Sequence, residues 1–441
     1  MEVVLAASSV DADVGCWDLH SGAEQLRYKT CASTPHGLTS VGSRFLASSQ
    51  IRDSSANAGL VLYWSWSKPQ VEAKSFPAEP IRPLAANHPG TYIAGGGLSG
   101  DIYFWEVETG RLLKKWHAHY RAVTCLVFSE DDSLLVSGSE DGCVRVWSLF
   151  TIFDDLKRQE AGNRYEHSFS EHTLPVTDIV IGYGGCSAII ISAAEDRTCK
   201  VWSLSRGTLL RNIVFPSIID AIALDPAEHV FYAGSRDGKI FIAALNTEKI
   251  FSHNHEMHIL GSFSNHSKAV TCLTYSASEN LLISGSEDGM VRVWNAKTHN
   301  FVRMFKHAKG PVNNIVVVRK ELDSSKHMSS TLQSGSRKQG SLVPPPLEKY
   351  TNEDSEVQTI VSLHDDRSDT DVSYMSCRAI FNQIKEFQNR GSSASEMEME
   401  RLKADHKRSA QMVDRFKKMY EDLQDFYEDD FLRSGQTKPG N

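Results

Sequence analysis

One short phrase recurs along this chain: a tight turn, four strand-forming residues, then a tryptophan. It is plainest in Gly142-Cys-Val-Arg-Val-Trp147 and Gly289-Met-Val-Arg-Val-Trp294. Weaker copies in the same register run from Ala12 to Trp17, Gly59 to Trp64, Gly100 to Trp105, Arg197 to Trp202 and Gly238 to Ala243, where alanine replaces the tryptophan. The last positions of these seven phrases lie 47, 41, 42, 55, 41 and 51 residues apart. A period near 40–45 residues, longer wherever a loop is inserted, suits a four-stranded blade. Such a unit cannot bury its faces alone and must stack on its neighbours. The repeat therefore predicts an all-β chain over residues 1–319, folded as a seven-bladed β-propeller. Local sequence agrees, since Leu134-Leu135-Val136 and Val144–Trp147 are β-rich runs joined by an Asp-Gly turn.

A histidine precedes each strong phrase, in His119-Tyr-Arg-Ala-Val123 and His266-Ser-Lys-Ala-Val270, and lies 28 residues before the tryptophan both times. This pattern resembles the WD-repeat family, in which His, Ser or Thr, Asp and Trp of one blade hydrogen-bond as a tetrad. Carried over by position, the resemblance implies structural tetrads of His119, Ser137, Asp141 and Trp147; of His172, Ser192, Asp196 and Trp202; and of His266, Ser284, Asp288 and Trp294. The Asp-to-Trp interval is 6 in all three. The family's Gly-His dipeptide is never complete, being Ala118-His119, Glu171-His172 and Asn265-His266, and the unit ending at Ala243 lacks both His and Trp. Four blades are expected to be held mainly by apolar packing.

Chain order also predicts how the ring closes. Three strand-like runs open the chain, at Val3–Ala6, Val14–Asp18 and Gln25–Tyr28, so the first blade lacks an innermost strand. Val312-Asn-Asn-Ile-Val-Val-Val318 follows the last blade and supplies it. Pairing the two ends removes an open sheet edge.

Beyond Arg319 the composition turns to Ser, Lys and Gly, then Pro344-Pro345-Pro346, then acids. Residues 320–376 read as a low-complexity acidic and Ser-rich linker, disordered in part, in which Val357–Val361 is a short apolar run. Residues 377–433 read as a helical extension. Within it Met412, Phe416, Met419, Leu423 and Phe426 keep 3-and-4 spacing on one stripe of an amphipathic helix, preceded by a shorter helix at Arg378–Gln388. A closed propeller has no unfilled core to receive that stripe, so partner binding or homodimerisation is its expected use. Asp405 and Ser409 interrupt the earlier heptad, which leaves too short a seam for an independent coiled coil.

The chemical motifs reduce to structure. Gly95-Gly-Gly-Leu-Ser-Gly100 has dinucleotide-loop spacing but aligns on the turn Ser137–Gly142, with no helix after it to hold a pyrophosphate. Gly234-Ser-Arg-Asp-Gly-Lys239 fails as a phosphate loop on spacing. The His119/Ser137/Asp141 group could pass for a hydrolase triad, yet catalysis needs one such site and this grouping occurs three times. His253, His255 and His258 lack a matching cysteine or carboxylate at ligand spacing. With 47 Lys+Arg against 55 Asp+Glu, the net charge of −8 provides no field for strong direct nucleic-acid binding. No apolar run approaches the roughly 18 residues of a spanning helix, and eight scattered cysteines read as reduced strand residues of an intracellular protein. The expectation is a non-enzymatic scaffold without cofactor, metal or membrane.

Segment order adds a finer resemblance. The unheaded start Met1-Glu-Val-Val, the insertion Phe150–Ser170 leading to Glu171-His-Thr-Leu-Pro-Val-Thr-Asp178, and a terminal helix after a Ser-rich linker are similar to the WD-repeat subunits of the Rix (PELP–TEX) ribosome-assembly complex, the family of WD repeat-containing protein 18 and the plant root initiation defective protein. Membership implies the nucleus, both nucleolus and nucleoplasm, and a part in processing the second internal transcribed spacer of large-subunit precursor RNA. It implies the complex's helical-repeat scaffold subunit as direct partner, with a midasin-type AAA ATPase and the pre-60S particle reached indirectly. The alternative is a substrate receptor of a cullin–DDB ubiquitin ligase. Those receptors typically show Arg three residues past Trp, where this chain has Phe150, Ser205 and Lys297.

Overall fold

The structure, a computed structural model, describes residues 2–10, 13–51, 59–153, 165–245, 258–307, 310–319 and 344–350. The chain divides into two compact units, Met1–Asp365 and Asp366–Asn441, and every described residue belongs to the first. The described residues form seven antiparallel four-stranded sheets. Each is a blade, and each recurring phrase supplies the third strand of one.

The first blade orders its strands Val312–Arg319, Glu2–Ser8, Val14–Asp18 and Glu24–Tyr28. The final strand of the ring thus lies innermost in the first blade, paired from Glu2↔Arg319 to Ser8↔Val312. The two ends of the ring meet in one sheet, as the order of strands predicts. The other blades follow in sequence: Leu38–Ser75, Ile81–His117, Val123–Phe169, Val176–Val214, Ile219–Ser264 and Val270–Lys306. Their innermost strands contact one another in succession, and the strand at Val312–Arg319 contacts that at Leu38–Val41, so the circle is complete.

Stacking of blades makes the core. Seven apolar clusters occur among the described residues, each drawn from two consecutive blades. Trp64, Trp105, Trp147 and Trp202 are fully buried in four of them. Each hidden indole removes on the order of 200 Å² from water, which at about 25 cal/mol per Å² stabilises the ring by roughly 5 kcal/mol. Where Ala243 replaces tryptophan, Phe215, Phe231 and Phe241 fill the interface, with centroids 5.7 Å (Phe215–Phe241) and 6.4 Å (Phe215–Phe231) apart. Volume lost at one position is returned by three phenyl rings.

The turn glycine in four of the phrases has a backbone reason. Gly100, Gly142, Gly238 and Gly289 all have φ between 77° and 89°, the left-handed region. A Cβ on Gly142 would stand 2.8 Å from the carbonyl oxygen of His172, so the next blade's loop also needs the glycine. In the fifth blade Arg197 adopts φ 64° at that place and carries the strain a side chain brings there.

Most of the expected linker and the whole expected helical extension, with Met412, Phe416, Met419, Leu423 and Phe426, lie outside the described residues. Residues 344–350 are the exception. They pack against the second and third blades, so this piece of the linker is not a free tether. A short helix at Leu149–Phe153, absent from the sequence reading, follows the fourth blade's third strand.

Candidate functional site

Within each of the three tetrad blades the structure brings the four sequence-chosen residues together. Trp147 Nε1 donates to Ser137 Oγ at 2.8 Å, Ser137 Oγ lies 2.7 Å from His119 Nε2, and His119 Nδ1 lies 3.2 Å from Asp141 Oδ2. The corresponding distances are 2.9, 2.8 and 2.9 Å for Trp202, Ser192, His172 and Asp196. They are 2.9, 2.8 and 3.1 Å for Trp294, Ser284, His266 and Asp288. An indole N–H can only donate, so the serine oxygen accepts from it and gives its own proton to Nε2. The imidazole proton then sits on Nδ1, aimed at the carboxylate.

Electrostatics match that assignment. Burial pushes the His119 and His266 imidazoles below their usual range, more than the neighbouring carboxylates raise them, so the neutral tautomer is held. Burial alone would raise Asp141, but hydrogen bonds from His119 and from the Cys143 and Tyr120 N–H groups outweigh it and hold the carboxyl well below its usual range. Asp288 is similarly opposed by burial yet is brought down to about 2 by Arg292, His266 and the Met290 N–H. Each aspartate ties a turn to the loop that enters the same blade. Asp141 accepts from Cys143 N at 2.9 Å in the turn and from Tyr120 N at 3.2 Å in the loop.

Chemically this arrangement is closed. The serine hydroxyls of all three tetrads belong to fully buried residues, and one lone pair of each faces an indole N–H where a nucleophile would need substrate. His253 and His255 lie outside the described residues, and no group of three or more His, Cys, Asp or Glu suited to a metal ion occurs among the described ones. Cys125 and Cys272 pack on innermost strands, where burial raises both thiols, Cys272 to about 12.

The surface at the tetrads' end of the ring is different. Because strands alternate in direction, the turns after each second strand and the loops joining blades lie at the same end. Phe76, Tyr120 and Leu174 are exposed there, Tyr120 by 79%, with its ring 5.7 Å from the Arg145 guanidinium. Around the central opening, ion pairs bridge neighbouring blades. Arg82 of the third meets Glu140 of the fourth, and Arg236 of the sixth reaches Glu195 of the fifth at 3.1 Å while holding Asp220 at 2.7 Å. Isolated apolar side chains among fixed charges suit a protein partner better than a small molecule.

Two further contacts escaped the sequence reading. His36, just before the second blade, places Nε2 3.0 Å from the carbonyl oxygen of Thr177 in the fifth, which is not its neighbour, so this side chain crosses the central opening. Beside it Asp178 accepts from Ile179 N and Ile222 N, both at 2.8 Å, and burial raises its carboxyl. Two buried tryptophans outside the tetrads also find acceptors that the sequence reading did not name. Trp64 Nε1 donates to the Lys29 carbonyl at 3.3 Å and Trp105 Nε1 to the Glu348 carbonyl at 2.8 Å, so main-chain oxygens replace the serine in these two blades.

Comparison with known proteins follows the same lines. The family described as WD domain, G-beta repeat matches residues 110–148, 163–203 and 257–295, the stretches that end in the three tetrad tryptophans or just past them. Protein ROOT INITIATION DEFECTIVE 3 of Arabidopsis thaliana is 56% identical over 432 residues, 96% of this chain and 97% of that protein. The chain belongs to this WD-repeat family. WD repeat-containing protein 18 of Homo sapiens is 34% identical over 325 residues, 72% of this chain and 73% of its own. The Pre-rRNA-processing protein IPI3 of Yarrowia lipolytica is 29% identical over 318 residues, 68% of this chain and 72% of its own. The three tetrad tryptophans thus lie in the stretches that the WD domain, G-beta repeat description matches, and the Arabidopsis likeness extends over nearly the whole chain.

Proposed function

We propose that this WD-repeat chain is a non-enzymatic scaffold subunit in ribosome biogenesis, acting in the nucleus on large-subunit precursors and the processing of their second internal transcribed spacer. Similarity to a protein named for pre-rRNA processing, over two thirds of both chains, carries the reading. The closed tetrads support its non-enzymatic half, because their only hydroxyl nucleophiles are buried and occupied. The tetrads hold blades in shape, and the end of the ring bearing Tyr120 and Leu174 meets the helical-repeat scaffold subunit of a Rix (PELP–TEX) complex. That complex in turn engages a midasin-type AAA ATPase on the pre-60S particle. The stripe from Met412 to Phe426 serves self-association or a shared partner.

Depletion of the protein followed by hybridisation to precursor RNA tests the function. Accumulation of species retaining the second spacer is expected, and an unchanged precursor profile would refute it. Affinity purification with mass spectrometry tests the partners: ribosome-assembly factors are expected, whereas cullin components would favour the ligase-receptor reading.

A further inference from the structure

Blade three has a tryptophan but no tetrad. In the sheet register Gly95 lies opposite Tyr103, as Ser137 lies opposite Arg145 in blade four, so the position that should offer a hydroxyl to Trp105 has no side chain. The indole N–H is instead satisfied by the Glu348 carbonyl, 243 residues further along the chain, at 2.8 Å. Three more hydrogen bonds fix Glu348 and its neighbour Leu347. Leu347 N donates to Ser75 Oγ at 3.0 Å, Glu348 N to the Gly110 carbonyl at 2.8 Å, and Leu112 N to Glu348 Oε2 at 3.3 Å. Leu347 is 5% exposed and joins Val41, Tyr63, Ile81 and Trp105 in the apolar cluster between blades two and three. Gly110 completes the fit: at φ 72°, a Cβ there would stand 2.6 Å from the Pro346 carbonyl oxygen.

These are the elements of a peptide-recognition site. Main-chain groups of an extended ligand are bonded to the receptor, a pocket takes one apolar side chain, and a carboxylate reaches a backbone N–H. Three consecutive prolines before the leucine restrict the backbone before it binds, which lowers the entropy lost on docking. We propose that the side of the ring between the second and third blades is a groove that recognises an extended Pro-x-x-Leu-Glu sequence, and that Pro344–Glu348 occupies it in cis. The occupant is the chain's own segment because residues 320–343 tether it, which raises its effective concentration toward the millimolar range and makes even weak contacts sufficient. The clamp fixes the point on the ring from which the following residues depart, and any competitor carrying the same short sequence would release it.

The test uses the full chain and a chain with Leu347→Asp and Glu348→Ala, which empties the groove without touching a tetrad. The probe is a fluorescein-labelled synthetic peptide of residues 342–351, followed by anisotropy. Saturable binding is expected to the emptied chain, about ten-fold or more tighter than to the wild type, whose groove is filled. Adding Trp105→Phe to the emptied chain removes one N–H donor and keeps an aromatic ring, and should weaken binding about five- to ten-fold. No binding to the emptied chain, or equal binding to both chains, overturns the proposal. Hydrogen exchange on the unmodified wild type gives an independent reading: the Leu347 and Glu348 amides should be protected. Exchange of these two at the rate of an unstructured peptide would also overturn it.

Discussion

Asp288→Ala tests whether the tetrads are structural. The Asp288 side chain is 7% exposed and accepts from His266 Nδ1 at 3.1 Å, Arg292 Nη1 at 2.8 Å and Met290 N at 2.9 Å. His266 has a fully buried side chain, and the other group at its Nδ1, the Arg292 guanidinium, can only donate, so without the carboxylate the Nδ1–H is left with no protein acceptor, at a cost of about 1–3 kcal/mol. The Met290 N–H and the Arg292 guanidinium lie nearer solvent and together add roughly 1 kcal/mol, which brings the loss to about 2–4 kcal/mol. With an unfolding entropy of about 2.1 cal/mol/K per residue and roughly 300 ordered residues, that becomes a fall in melting temperature of about 3–6 °C. The control is Asp237→Ala, at the same place in the blade that lacks His and Trp. Asp237 is 39% exposed and accepts from Ser235 Oγ and Lys239 N, so less than about 1 kcal/mol should be lost. Differential scanning calorimetry of both variants, beside affinity purification, decides the matter. Equal shifts would refute the buried-donor argument. An unchanged melting temperature with lost partners would make Asp288 a contact residue instead.

The same pair gives a pH prediction. A carboxyl whose folded pKa is depressed to about 2 contributes stability above its unfolded value, about 3.9, and loses it as pH falls toward the folded one. The stability gap between wild type and Asp288→Ala should thus be constant above about pH 5 and close between about pH 4 and 2; a gap that is constant throughout would refute the assignment. The buried imidazoles of His119 and His266 have lowered pKa values, so each subtracts stability as pH falls below about 6.5, where the unfolded chain takes up protons they do not. Calorimetric stability should decline from pH 7 to 5. Truncation after Lys309 removes the strand at Val312–Arg319, exposes the edge of Glu2–Ser8 and should yield aggregated or protease-sensitive protein, whereas truncation after Lys326 should leave a soluble ring. A monomeric, protease-resistant product from the shorter chain would refute closure by that strand. Phe416→Glu with Leu423→Glu should lower the mass seen by light scattering or the recovery of nuclear partners relative to the full chain; no change in either would mean that the stripe serves neither purpose.

Legibility in the sequence followed the range of the interactions. The seven phrases, their turn glycines and the three tetrads are local or repeat at fixed spacing, and the register of each blade follows once Trp and Asp are aligned. Closure was legible for a different reason: three opening strands and one surplus strand at the end leave one arrangement without an open edge. What could not be read were contacts with no periodic counterpart. His36 crosses to Thr177 because the ring curves the second blade opposite the fifth, a relation no spacing encodes. Gly95 did carry a signal, since a repeat with tryptophan but no hydroxyl leaves an indole N–H in need of an acceptor. The acceptor itself lies in a proline-rich stretch that composition assigns to linker, and composition averages over the two residues that matter, Leu347 and Glu348. The distinction is physical. A linker is defined by lacking enough apolar surface to fold by itself, but a receptor already folded requires only one buried leucine and a few main-chain bonds to hold it. Segments of low complexity beside a repeat with an unmet donor are therefore where docked peptides should be sought first.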